Sequence, residues 1–169
     1  KTMTIRKSML ACAGLAALLL AAPANAAEDE ILIGGALSLT GVQAPLDTPG
    51  FKGAQVAGKA LNDAGGLLGK KVKFVTGDTA TKSDVARASA RSMIEKDGVT
   101  MINGGSSSGV AVAVQGLCQE AGIIFMAGLT HANDTTGKDR KANGFRHFFN
   151  AYMSGAALAP VLAKEMGTD

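Results

Sequence analysis

The chain has 169 residues, 17 Lys and Arg against 14 Asp and Glu, 47% hydrophobic and 4% aromatic side chains, two cysteines and no tryptophan. The basic excess belongs to Lys1, Arg6 and Lys7, and the rest of the chain balances at 14 basic and 14 acidic residues, so the charge offers no surface for a nucleic acid or an anionic membrane. Abundant Gly, Ala and Val exclude a disordered chain, and the single cysteine left beyond residue 26 excludes a disulfide scaffold.

The three N-terminal cations precede an apolar run from Met9 to Ala22, then Pro23 and Ala24-Asn25-Ala26, a small-x-small cleavage site. Residues 1–26 are thus predicted to be a signal peptide, with a mature chain of 143 residues starting at Ala27 outside the cytoplasm. Fourteen apolar residues fall short of the roughly 20 a helix needs to span a bilayer. Cys12 stands near the start of the run rather than at its end, which argues against a lipid anchor, and Cys118, among apolar helical neighbours, reads as a buried, inert thiol.

Ile31 to Ala36 is an almost wholly apolar run and predicts a strand buried on both faces, followed by a loop at Ser38 to Gly41. Ala54, Ala57, Leu61 and Ala64 fall at helical spacing, and Gly65-Gly66 ends that helix by supplying a left-handed conformation. Lys71 to Thr76 reads as the second strand. Thr81, with Asp84 three residues on, is predicted to cap a helix whose charges at Asp84, Arg87, Arg91 and Glu95 lie opposite Val85, Ala86, Met93 and Ile94; Gly98 ends it. Thr100 to Asn103 is the third strand. After Gly104 to Gly109 comes a helix through Glu120, because Val110, Val114, Leu117 and Ala121 hold one face and a strand there would leave no crossover before the next apolar run.

Ile123 to Ala127 is the fourth strand, Gly128 to Asn143 a polar loop, Phe145 to Phe149 the fifth strand and Ser154 to Met166 a helix. Strands alternating with helices at this spacing predict an α/β fold built on a doubly wound parallel sheet. A sixth strand is expected after the last helix, so the chain reads as the first part of a longer one.

In an open parallel sheet, ligands bind beyond the carboxyl ends of the strands. Three loops leaving those ends carry small hydroxyls: Ser38 to Gly41 with Thr40, Ser106 to Ser108, and Thr130 with His131. Hydroxyls beside the free amides of a helix start suit a ligand carboxylate, although Ser106 to Ser108 can equally cap their helix. Gly105 to Gly109 also matches G-x-S-x-G between a strand and a helix, the setting of a hydrolase nucleophile elbow. Ser107 would then be the nucleophile, Asp134 or Asp139 the acid and His147 the base, but His147 sits in an apolar run that reads as strand rather than loop. Gly66 to Lys71 fails both ends of a phosphate-loop pattern and reads as a turn, and no Cys/His cluster has metal-ligand spacing. No metal or cofactor is predicted.

The segments Ser38-Leu-Thr-Gly41, Gly50-Phe-Lys-Gly53, Leu61 to Val72, Gly77-Asp-Thr79, Gly104 to Ser108 and Glu120 to Ile124 together resemble the first lobe of the periplasmic branched-chain amino-acid-binding proteins that feed ABC importers. The resemblance covers nearly all of Ile31 to Met166. It implies the type I periplasmic binding protein fold, two doubly wound lobes that close on a ligand, with residues 27–152 as the first lobe and 153–169 opening the second. It also implies a monomeric, non-enzymatic periplasmic protein that takes an amino acid or small carboxylate to a membrane permease, or a ligand sensor of the same fold. Ser107 or Ser108 would hold the ligand carboxylate, Leu129 to His131 would meet carboxylate and ammonium, and Tyr152 would reach the ligand from the cleft edge. Where the family usually has Thr this chain has His131, and Thr130 stands where a small residue is usual. A bulkier, titratable group there implies a ligand other than leucine, isoleucine or valine.

Overall fold

The computed structural model describes residues 30–167. The expected signal peptide lies outside them, and no helix of the described residues is long and apolar enough to cross a membrane. Five strands form one parallel sheet: β1 (Glu30–Leu37), β2 (Lys71–Asp78), β3 (Met101–Gly104), β4 (Ile124–Ala127) and β5 (Gly144–Arg146). Their spatial order is β2-β1-β3-β4-β5, with Ile33 level with Phe74 on one side and Met101 on the other. The chain leaves β1 toward β2 and then crosses back to β3, so the order reverses at β1 and β3, where a doubly wound sheet opens its crevice.

Between the strands run α1 (Ala44–Asp63), α2 (Ser83–Ser92) and α3 (Ser108–Ala121), and α4 (Ala151–Met166) follows β5. A π-helical turn, Met93–Asp97, extends α2 to Gly98, whose left-handed φ of 68° ends it as the sequence predicts. The core lies between the sheet and the α2–α3 layer: Ile102 and Phe125, paired on neighbouring strands, are fully buried with Ala86, Ala90, Met93, Val110, Val114 and Cys118 around them. Gly34 and Gly104 make room for this layer, since a Cβ on either would overlap Ile102 or the Phe125 ring. Val110 to Val114 is helical, so the crossover argument holds.

Other expectations need correction. The first helix starts ten residues before Ala54, and of its expected apolar face Ala57, Leu61 and Ala64 are exposed; it buries Asp47 and Gly58 instead. The reason is contact geometry: the Phe74 ring lies against Gly58, so the helix docks through a residue that hydrophobic periodicity does not count. Thr81 does not cap α2, whose N-cap Lys82 makes no side-chain bond. Ala80 and Thr81 take left-handed φ of 46° and 60°, and Thr81 Oγ1 accepts from the Gln43 N–H (3.4 Å). The fifth strand ends at Arg146, leaving His147 on the following loop, and α4 begins at Ala151 rather than Ser154. The turn at Leu67 to Lys70 is a tight one closed by two backbone bonds, with Leu68 at φ 54° and Gly69 at φ 77°.

Candidate functional site

Three loops leave the carboxyl ends of β1, β3 and β4, and the structure joins them by hydrogen bonds, several of them buried. Ser38, on the first, is buried: its N–H donates to Asp47 Oδ2 (2.7 Å), and its hydroxyl pairs with Thr79 Oγ1 (3.0 Å). Asp78, at the end of β2, accepts from the Leu39 and Thr40 amides, the Ala80 amide and the Thr40 hydroxyl (2.6 Å). The Thr40 hydroxyl is the largest influence holding the Asp78 carboxyl below its ordinary value.

The second loop enters α3. Ser106 N–H donates to Asp47 Oδ1 (2.9 Å) and its hydroxyl to Gln43 Oε1 (2.8 Å). Ser107 is the N-cap, its Oγ accepting from Val110 N–H (3.4 Å), so capping is real here, and among the described residues the Ser107 O–H donates to no partner. Ser108 Oγ reaches the third loop and accepts from the amides of His131 (3.3 Å) and Ala132 (3.2 Å).

Arg146 fixes that third loop from behind. Its guanidinium donates to Thr130 O (2.8 Å), Ala132 O (2.5 Å) and Thr136 Oγ1 (3.2 Å), and burial lowers its pKa without discharging it. Leu129 is exposed at the loop's start, Thr130 is fully buried with no partner for its hydroxyl among the described residues, and His131 is exposed. The His131 ring shares a hydrogen bond with Ser154 Oγ (2.7 Å) and stands edge-on to Phe149 at 5.3 Å. Its carbonyl accepts from Ala151 N–H (2.8 Å), while Tyr152, 73% exposed in the first turn of α4, donates its amide to Asn133 Oδ1 (3.0 Å).

Of the predicted residues, Ser108 and His131 are thus in contact, Ser38 and the Ser106–Ser107 turn are linked through Asp47, and Tyr152 adjoins the third loop through Asn133. Tyr152 belongs to the first turn of α4, six residues past the end of β5. Sequence reasoning missed Asp47, Gln43, Asp78 and Arg146. A carboxylate among Ala44, Pro45 and Leu46 was the available signal for Asp47, hidden because Pro45, Pro49 and Gly50 mask the helix start.

A family model for the periplasmic binding proteins matches residues 30–169. The chain belongs to this family. It is 32% identical over 140 residues, 83% of its length, to a Leu/Ile/Val-binding protein homolog of Brucella melitensis, and it spans only 36% of that relative's length. Among solved structures, it resembles the branched-chain amino acid transporter substrate binding protein LivJ of Streptococcus pneumoniae, in complex with isoleucine, with a TM-score of 0.75 and 23% identity, covering 80% of this chain and 38% of that one. It also resembles a solute binding protein of an ABC transporter from Rhodopseudomonas palustris in complex with 3,4-dihydroxy benzoic acid, with a TM-score of 0.68 and 22% identity, covering 82% and 37%. These likenesses agree with the sheet order in giving the type I binding-protein fold, of which this chain makes one doubly wound unit.

Family members of this kind are binding proteins, and the elbow reading draws no support from the geometry. Among the described residues no hydrogen bond links Ser107, His147 and either Asp134 or Asp139: Ser107 Oγ accepts from Val110 N–H, Asp134 pairs with Lys138 (3.0 Å), and His147 Nδ1 bonds to the carbonyl of Ala127 (3.1 Å). Cys118 is fully buried, and burial pushes its thiol from 9.0 up to about 12, which keeps it protonated and unreactive at neutral pH.

Proposed function

We propose that this chain supplies the first lobe, residues 27–152, of a periplasmic solute-binding protein, with residues 153–169 opening the second. Its task is to capture an amino acid or related small carboxylate between the lobes and deliver it to the membrane permease of an ABC importer, with no catalytic step. The observation that carries this reading is the meeting of the β1, β3 and β4 loops at the reversal of strand order, with the N-terminus of α3 at their centre. Positive partial charge at that helix start favours an anion, and the half-buried Ser107 O–H, which donates to no partner among the described residues, would add a donor. Isoleucine and 3,4-dihydroxy benzoic acid, held by two fold neighbours, have a carboxylate in common, which supports the carboxylate as the group this edge receives.

The remaining assignments rest on position. Ser107 and Ser108 would face the carboxylate, Ser38 and Thr40 would line the neighbouring wall, and Leu129 to His131 would offer backbone and imidazole to the ligand's polar end, with Tyr152 at the margin. Thr130 contributes through its backbone, because its side chain is buried. His131, held by Ser154 and Phe149, fills space that a smaller residue would leave to an aliphatic side chain, which favours a ligand other than leucine, isoleucine or valine. The division at 152/153 falls inside the first turn of α4, a helix that buries none of its residues, as expected of a segment belonging to another body.

The test is a thermal melt of the two-lobed protein across the amino acids and small organic acids. A ligand at 100 times its Kd adds about 2.7 kcal/mol, so one chemical class should raise the midpoint. A panel in which no compound does so would overturn the reading.

A further inference from the structure

We propose that Asp47 is a positioning residue whose carboxylate locks the loops after β1 and β3 into one unit, a role that deepens, and rests on, the reading of those loops as the ligand site. The residue is 4% exposed, on the first turn of α1. Its two oxygens divide between two segments far apart in sequence: Oδ2 takes the Ser38 N–H at 2.7 Å and Oδ1 the Ser106 N–H at 2.9 Å, across 9 and 59 residues. Among the described residues no Lys or Arg lies within ion-pair distance of it. A buried carboxylate without a cation is costly to hold, and here its compensation comes from two amide donors and the N-terminal end of α1.

Three further features concentrate on the same atoms. A Cβ on Gly105 would overlap the Asp47 carboxylate, so the glycine before Ser106 is what lets the loop close onto it. Gln43, one turn earlier at the N-cap of the same helix, accepts the Ser106 hydroxyl at 2.8 Å, giving the β3 loop a second tie to α1. The β1 loop is tied in turn to the end of β2 through Ser38 and Thr79 at 3.0 Å. Strands β1 and β3 flank the reversal of the sheet, so Asp47 bridges the loops on either side of the crevice and spends the Ser106 amide internally. What it leaves for a ligand is the next residue, Ser107, set as the helix cap with its hydroxyl hydrogen unpaired among the described residues. An isolated cap would leave Ser107 free to follow its own loop; the shared carboxylate fixes its distance from Ser38 and Thr40.

The experiment is residue-resolved amide hydrogen exchange on the full chain, which needs no ligand, with Asp47→Asn and Gly105→Ala made singly and together. Asparagine keeps the shape but offers only one acceptor oxygen, and alanine at 105 pushes an intact carboxylate aside. Each single variant should speed exchange at both Ser38 and Ser106 by tenfold or more while the core amides of Val114 and Phe125 keep their rates, and the double variant should add little beyond Asp47→Asn. Acceleration at one loop only, acceleration spread evenly into the core, or full additivity of the two changes would overturn the lock. A second arm titrates the two-lobed protein with each amino acid and organic acid of the thermal-melt panel. A bound acid should lose tenfold or more in affinity in Asp47→Asn, measured well below the melting midpoint of the free variant, and unchanged affinity would also overturn the positioning role. Failure of every compound to bind wild type would instead remove the ligand-site reading, while the exchange pattern would still decide the lock.

Discussion

Helices α3 and α4 are both rich in Ala, Val, Leu and Gly, yet α3 buries seven of its 14 residues and α4 none of its 16. The first is a crossover between β3 and β4, so its apolar stripe faces Ile102 and Phe125 and meets α2 alongside. The second leaves the sheet after its last strand and is held to the rest by its first turn: Ala151 to the His131 carbonyl, Tyr152 to Asn133, and Ser154 to the His131 ring. Composition made both helices, and connectivity decided which of them became core. The same contrast separates the loops of the candidate site, since those after β1 and β3 are tied by a buried carboxylate while the one after β4 is tied by the partly buried guanidinium of Arg146 and by exposed bonds around His131.

The strongest way to break this contrast is to truncate one large apolar side chain on each side. Phe125→Ala, in the layer that α3 covers, should cost about 3–5 kcal/mol in denaturant unfolding, whereas Leu158→Ala on α4 should stay within about 0.5 kcal/mol. Comparable losses at the two positions would mean that α4 is packed after all. Next in size is Arg146→Lys: one ammonium cannot span the Thr130 and Ala132 carbonyls as the guanidinium fork does, so a loss of about 1–3 kcal/mol is expected. The accompanying change in amide shifts should appear at residues 130–136 and leave Ser38 and Ser106 in place, which separates the His131 loop from the pair that Asp47 holds.

The smallest effect is electrostatic. Because Asp78 titrates below its ordinary 3.8 when folded, its hold on the Thr40 hydroxyl and the Leu39 and Thr40 amides is complete above that value. That stabilisation disappears as the pH falls below 3.8 through the lowered folded value. An acid titration followed at the Leu39 and Thr40 amides should show this step, and Asp78→Asn should abolish it. A step that persists in the variant would assign it to another group.

Much of the fold was legible because its signals are local. The five strands, the end of α2 at Gly98 and the helical character of Val110 to Val114 each follow from short-range pattern, and the hydroxyl loops follow from the rule that such sheets bind ligands at their carboxyl edge. The errors have a common origin in contacts made across the chain. Gly58 became the buried point of α1 because Phe74 lies against it, Thr81 turned from α2 toward Gln43, and β5 stopped at Arg146, whose guanidinium is drawn to carbonyls of the preceding loop.

The sequence by itself determined the order and type of the elements, the parallel α/β class and the three loops where small hydroxyls gather, since periodicity and turn residues act within a few positions of themselves. Only the tertiary structure decided that Asp47 would join Ser38 to Ser106, that Ser108 would hold the His131 loop, and that Thr130 would turn inward. Each of these depends on strands distant in sequence arriving side by side. A carboxylate's partners are then chosen by whichever amides the packed sheet leaves unpaired near it, which no local pattern records.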